Sequence, residues 1–365
     1  MKFIFSADLH IKLWSDKVIE DDGLPKRLNE IFSTIEYMCQ YAIENGIGTC
    51  IFGGDINDLK NIVHVRAFVL LKQLLDKYRE IEFIILHGNH DASNYRSSES
   101  AIQLLDGPNN IHTITYPSRI ENITFIPYSK TIIDDIEEAD PNDILISHFG
   151  LSDAEFSNGL SLKTNVSKKD LQKFKLVLLG HYHKGQSIDH IHYVGSPIQL
   201  KRDEHGEDKR FFVVDSETLE LQNIPTEGHY RKYYNFIIDE NYEGKPEEVD
   251  KLLKEVDQLR NDGHYVVVRN KLRECPVNLK EYDVVVVDEY EEEYQSRGIT
   301  SGMTIKEQMK KYLDIMRIPE EQHERYMEIG LKYINLEEFG DENVTIQNKS
   351  EHVDDPDTGS ISTSS

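Results

Sequence analysis

Short apolar runs alternate with amphipathic stretches through the first two hundred residues. Residues 2–7, 49–52, 82–86, 143–146 and 175–179 are almost continuously apolar over strand length, the pattern of strands buried on both faces. Between the first two runs, Leu28, Ile31, Phe32, Ile35, Met38 and Ala42 recur at helical spacing, and Gly46 stands where a helix would be capped. Val65, Phe68, Leu71, Leu74, Leu75 and Tyr78 repeat that spacing between the second and third runs. Strand–helix–strand alternation predicts an α/β layered fold. A helix between two strands does not make every pairing parallel, so mixed β-sheets flanked by helices are expected.

Further strand-like runs fall at 123–127, 192–194 and 211–214. Near 225–230 the character changes. Residues 233–238, 265–268 and 284–287 are apolar, and a charged helical pattern spans 246–260, which predicts a small α+β unit. The acidic run 288–294 suits a solvated linker. After it, Ile305, Met309, Tyr312, Leu313 and Met316 make one apolar helical face, and Pro319 fits the start of a second helix. Residues 337–365 hold eight Asp/Glu, one Lys and a Ser/Thr/Gly-rich end, too little apolar surface to order a chain. The expected organisation is therefore 1–225, 230–290, 300–336 and a disordered acidic tail at 337–365.

The chain has 365 residues, 38% of them hydrophobic, and a formal net charge of -25. That charge argues against a protein coated in nucleic acid, unless clustered carboxylates serve as ligands for cations. Cys39, Cys50 and Cys275 form no CxxC pair, and no apolar run approaches a membrane span. Met1–Phe5 lead straight to Asp8, with no signal-peptide core. A soluble cytoplasmic protein is expected.

A polar cluster follows each of the five apolar runs: Asp8-Leu-His10, Gly54-Asp55-Ile-Asn-Asp58, Gly88-Asn89-His90-Asp91, Ser147-His148 and Gly180-His181-Tyr-His183. Ligands of α/β sheets bind at the carboxyl ends of strands, so five chain-distant clusters are placed to converge. Glycines before Asp55, Asn89 and His181 allow sharp turns and close approach to an ion. The donors are oxygen and imidazole without thiolate, which favours Mn²⁺, Fe²⁺ or Zn²⁺ over a sulfur-bound structural metal. Seven donors exceed one ion and suit two ions bridged by a carboxylate, the arrangement that clamps both oxygens of a phosphoryl displacement.

These clusters resemble the calcineurin-like metallophosphoesterase superfamily, whose pattern is DxH, GDxxD, GNH[DE], H, GHxH. Within it, Gly53–Asp58 with His64, then Tyr193-Val-Gly-Ser-Pro-Ile198 and Phe211–Asp215, resemble the SbcD-type nucleases, above all the small subunit of phage recombination endonucleases. The resemblance implies two divalent ions, most often Mn²⁺, with Mg²⁺, Fe²⁺ or Zn²⁺ as alternatives. It implies Asp8, His10, Asp55 and His183 on the first, and Asp55, Asn89, His148 and His181 on the second. It implies His90 as the catalytic residue at the leaving oxygen, with Asp91 orienting it from behind, and leaves Asp58 and His64 open. It further implies a metal-dependent DNA exonuclease or endonuclease at 1–225, a DNA-capping module at 230–290, and docking of an SbcC-type coiled-coil ATPase by 300–336. A homodimer of nuclease subunits and no membrane association complete that expectation. The alternatives are a phosphatase, a cyclic-nucleotide phosphodiesterase and a non-enzymatic scaffold. Leu59-Lys60 after Asp58, where many such phosphatases carry Arg-Gly, counts against the first, and the full ligand set counts against the last.

Overall fold

The computed structural model describes residues 1–14, 19, 23–93, 99–107, 110–161, 164–279, 285–288, 305–316 and 318–333. It forms two compact units, Met1–Glu289 and Tyr290–Ser365. The first begins β1 (Lys2–Ser6), α1 (Lys26–Glu44), β2 (Thr49–Phe52), α2 (Val65–Lys77), β3 (Glu82–Leu86) and β4 (Ile111–Ile114). It continues β5 (Ser118–Ile120), β6 (Ile123–Ile126), α3 (Ile132–Glu138), β7 (Ile144–His148), α4 (Lys168–Leu171), β8 (Leu176–Gly180), β9 (Gln186–Ile188) and β10 (Ile191–Tyr193). Then come β11 (Arg210–Asp215), β12 (Leu221–Pro225), β13 (Tyr233–Ile238), α5 (Pro246–Asn261), β14 (Tyr265–Asn270) and β15 (Val285–Asp288).

Two six-stranded mixed sheets result, ordered β12-β11-β1-β2-β3-β4 and β5-β6-β7-β8-β10-β9. The inner pairs are parallel, while β11, β12, β5 and β9 join antiparallel. Side-chain alternation explains the layering. Phe3, Phe5, Ile144, Ile146, Leu176 and Leu178 belong to one core between the sheets. Their neighbours Ile4, Leu145 and Val177 face outward, Ile4 toward α1 and α2 and the other two toward α3 and α4. Strands covered on both sides are apolar at nearly every position, which is why their sequence runs are almost continuous.

The edge strands β4, β5, β9 and β12 have no such run. Every residue of β5 is exposed, and β12 buries only Ile224. Their pairing rests on backbone hydrogen bonds more than burial, so the apolar pattern alone did not reveal them.

A third sheet, β13-β14-β15, is wholly parallel. With α5 it encloses its own core of Ile238, Val249, Leu253, Val256, Val266 and Val268. It is pinned to α1 by buried charge. Glu30 accepts from Arg231 Nε at 2.5 Å and the Arg231 amide at 3.0 Å, and it pairs with Arg27 at 3.1 Å. Arg27 donates to the Arg231 carbonyl at 3.0 Å, and both guanidiniums lie over the Tyr265 ring.

The second unit contains α6 (Ile305–Ile315) and α7 (Glu320–Tyr333). Leu313 is buried and Met309 half-buried, whereas Tyr312 and Met316 are more than half exposed. The side chain of Ile305, the acidic run from 289 on and the 337–365 tail lie outside the described residues. Among the described residues no helix is long and apolar enough to cross a membrane.

The Glu30 cluster yields a stability prediction. Glu30→Ala leaves two largely buried guanidiniums without their carboxylate, at a cost of about 3–5 kcal/mol. Urea denaturation should show that loss, and a change below about 1 kcal/mol would mean the cluster is not desolvated as described.

Candidate metal centre

The loops after β1, β2, β3, β7 and β8 meet. Asp8 N donates to Gly54 O and His10 N to Asp55 O, both at 3.0 Å. His181 N donates to both Asp8 oxygens at 3.0 Å, and His90 N to Asp55 Oδ1 at 2.8 Å. These loops bend sharply. Asp8, His10, Asp55 and His181 have φ of 58°, 47°, 54° and 96°, four of the nine non-glycine residues with positive φ among the described residues. Each costs about 1–3 kcal/mol, a strain kept where it aims functional atoms. Two glycines make room. A Cβ on Gly54 would run into the His148 ring, and one on Gly88 into the backbone and carboxylate of Asp55.

The donors are gathered. Asp8, His10 and His183; His10, Asp55 and His90; and Asp8, Asp55 and His148 each place ligand atoms within 4.8 Å of one another. Asn89 Oδ1 lies 3.1 Å from His148 Nε2 and 2.9 Å from His181 Nδ1. All seven sequence-predicted donors and His90 are therefore gathered in one cluster. Asp8, Asp55 and His148 have almost no solvent exposure.

The far side of most rings is held. His148 Nδ1 lies 2.8 Å from Gly53 O, His183 Nδ1 2.9 Å from Glu204 Oε1, and His10 Nδ1 3.1 Å from Asp58 Oδ1. Gly53 O and Glu204 accept, so the Nδ1 of His148 and of His183 each carry a hydrogen, while His10 Nδ1 meets the Asp58 carboxylate at ion-pair distance without hydrogen-bond geometry; each Nε2 points inward. His183 Nε2 and His10 Nε2 then face each other at 3.0 Å, and His148 Nε2 faces Asp55 Oδ2 at 3.3 Å. Lone pairs and carboxylates gathered away from water demand positive charge, supplied by protons on the rings or by cations between them. The donor set thus fits divalent cations.

The electrostatics agree. Burial works against charge on His148, but the fields of Asp55 and Asp8 raise its pKa to about 9. Burial would lift Asp55, yet His148 and His10 hold it well below the usual carboxylate range. Burial and the neighbouring His148 push His181 down to about 3.

Asp91 acts differently from the expectation drawn from the resemblance. Its carboxylate accepts the amides of Asp55 (2.9 Å), Asn57 (2.8 Å) and Gly88 (2.8 Å), clamping the loops after β2 and β3. The atom beside His90 is the Asp58 carbonyl, 2.5 Å from Nδ1, so Asp58 and not Asp91 orients that ring. Burial and Asp55 push Asp91 up to about 7. Asp58, left open by the sequence, also pairs with Lys12 at 3.1 Å and is held at about 2 by His10 and Lys12 against burial. His64 stands at the N-terminal cap position of α2. Glu204 was missed by the sequence reading. Its only signal was its place just after the Tyr193–Ile198 segment.

Two mixed sheets flanked by helices, with His/Asp clusters at the strand ends, define a dimetal phosphoesterase centre. The calcineurin-like phosphoesterase family matches residues 1–185, and the chain belongs to that family. Exonuclease subunit 1 of Enterobacteria phage T4 is 24% identical over 257 residues, covering 65% of this chain and 71% of that protein. Among solved structures, the Pseudomonas putida nuclease MPE aligns at 12% identity and TM-score 0.28, over 61% of this chain and 87% of its own. A dimetal phosphatase from Danio rerio aligns at 11% identity and TM-score 0.37, over 62% of this chain and 99% of its own.

The clamp made by Asp91 is testable. Asp91→Ala strands three backbone N–H groups and loosens both loops, so Mn²⁺ affinity should fall roughly 10–100-fold in a calorimetric titration. Unchanged affinity would show that the loops hold their shape without it.

Proposed function

We propose that this phosphoesterase is a DNA nuclease that cleaves phosphodiester bonds with two divalent ions, Mn²⁺ foremost. The carrying observation is the pocket with seven donors, the half-buried His90 beside them and a shared central carboxylate, Asp55. The likeness to a phage exonuclease subunit supports DNA as substrate, because it runs longer than the 185-residue family match.

In this reading Asp8, His10, Asp55 and His183 hold one ion, and Asp55, Asn89, His148 and His181 the other. The ions supply Lewis acidity toward a phosphoryl oxygen and toward water. The chain does the rest. His90, with Nδ1 fixed on Asp58 O, keeps Nε2 for a proton at the leaving oxygen. Asp55 Oδ1 accepts the His90 amide, so the central carboxylate also anchors the proton-handling residue.

The test is a cleavage assay with Mn²⁺ or Mg²⁺ on single- and double-stranded DNA. Cleavage should depend on the metal. His90→Ala should bind two ions and lose roughly 10²–10⁴-fold in rate, while Asp55→Ala should lose metal and activity together. Hydrolysis of p-nitrophenyl phosphate without cleavage of DNA would replace the nuclease by a phosphomonoesterase.

The third sheet serves in this reading as a DNA cap, the nuclease units pair as a homodimer, and α6–α7 dock an SbcC-type ATPase. Exposed Tyr312 and Met316 offer apolar anchors for helix-in-groove packing. The -25 charge fits a subunit that draws its grip on DNA from such a partner. Truncation before Gly302 should keep basal metal-dependent cleavage and abolish co-purification with the ATPase. Capture of the ATPase at full affinity by the truncated chain would refute the docking role.

A further inference from the structure

Behind His183 lies a group of charged side chains with no sequence motif of its own. Glu204 is 1% exposed and Lys209 3% exposed, and their charges meet at 2.7 Å. Every polar atom of the pair is used. Glu204 Oε2 forms the ion pair with Lys209 and accepts from Leu200 N at 3.0 Å and from Ser196 Oγ at 3.2 Å, leaving Oε1 for His183 Nδ1 at 2.9 Å. Lys209 Nζ also donates to Glu207 at 2.7 Å, to Ser196 Oγ at 3.0 Å and to the His183 carbonyl at 2.9 Å. His183 is therefore gripped twice, through its ring by the carboxylate and through its backbone by the ammonium.

We propose that Glu204, with Lys209 as its internal counter-charge, is the positioning residue that sets the tautomer and direction of His183 toward the metal centre. The inference rests on the metal-centre reading and deepens it. Three neighbouring rings show what is particular here. His148 leans on a neutral carbonyl, His10 on the partly exposed Asp58 that also serves Lys12, and His90 on the Asp58 carbonyl. His183 alone among these four faces a fully buried carboxylate. Burying two opposite charges is costly, and apolar residues would fill the same space at least as well. What they would not do is fix the hydrogen on Nδ1 so that the Nε2 lone pair faces inward. The loop that carries Glu204 is anchored in turn to β13, since Gln199 Oε1 accepts the Tyr233 amide at 2.7 Å. The direction of His183 is thereby tied to the base of the third sheet.

Two variants test this. Glu204→Ala removes the acceptor but strands a buried ammonium. The double variant Glu204→Met with Lys209→Met keeps the volume and removes both charges together with the acceptor for His183, so it guards against simple unfolding. Wild-type protein titrated with Mn²⁺ should bind two ions. Each variant should bind one ion as before and the other roughly 10–100-fold more weakly. Excess Mn²⁺ should restore hydrolysis of bis-p-nitrophenyl phosphate, which a damaged fold would not allow. Two ions bound at wild-type affinity in the folded double variant would overturn the inference, whatever its melting temperature. A wild-type protein that binds fewer than two ions would overturn the metal-centre reading itself, and this inference with it.

Discussion

Asp8 and Asp55 are two carboxylates at the meeting point of two sheets, 0% and 2% exposed, with imidazole lone pairs turned toward them. Negative charge and lone pairs kept from water must be matched by positive charge. Much of the architecture answers that demand. The amides of His90 and His181 point at the two carboxylates, and the histidines bring donors from both sheets. The field that raises His148 and lowers Asp55 is the same demand seen from either side.

Holding those donors in place takes a second layer as extensive as the first. Asp91 spends its carboxylate on three backbone amides rather than on a side chain, because the loops carry strained residues and would otherwise relax. Asp58 gives one carboxylate oxygen to His10, the other to Lys12 and its carbonyl to His90. The rings of His10 and His90 are linked through that one residue. Asp91 and Asp58 each serve more than one loop or ring, so the positions of these groups are coupled.

The third sheet extends this logic beyond the pocket. It has its own apolar core, yet its first strand is tied to α1 through Glu30 and to the loop after β10 through Gln199. Buried ion pairs are poor sources of stability but exacting about geometry. Using them at this joint fixes where the sheet stands relative to the donor cluster. Free apolar packing would allow it to slide.

How much of this was legible beforehand differs by element. The central strands were readable because strands covered on both faces have apolar side chains at nearly every position. The candidate donors were readable because each cluster follows such a strand, three of them at a glycine where the chain turns. Edge strands such as β5 were not, since exposure removes the pattern while backbone pairing remains. The tasks of Asp58 and Asp91 were undecided or misread, because a carboxylate beside a histidine in sequence is not necessarily beside it in space. Glu204 and Lys209 were invisible, because a charged residue in a loop reads as solvated until its partners enclose it. The sequence by itself determined the layered α/β scaffold and which side chains are candidate metal donors, both of which follow from local periodicity and from chemistry at strand ends. Only the tertiary structure decided which charges are buried together, since desolvation and pairing depend on distances between chain-distant atoms that no local pattern encodes.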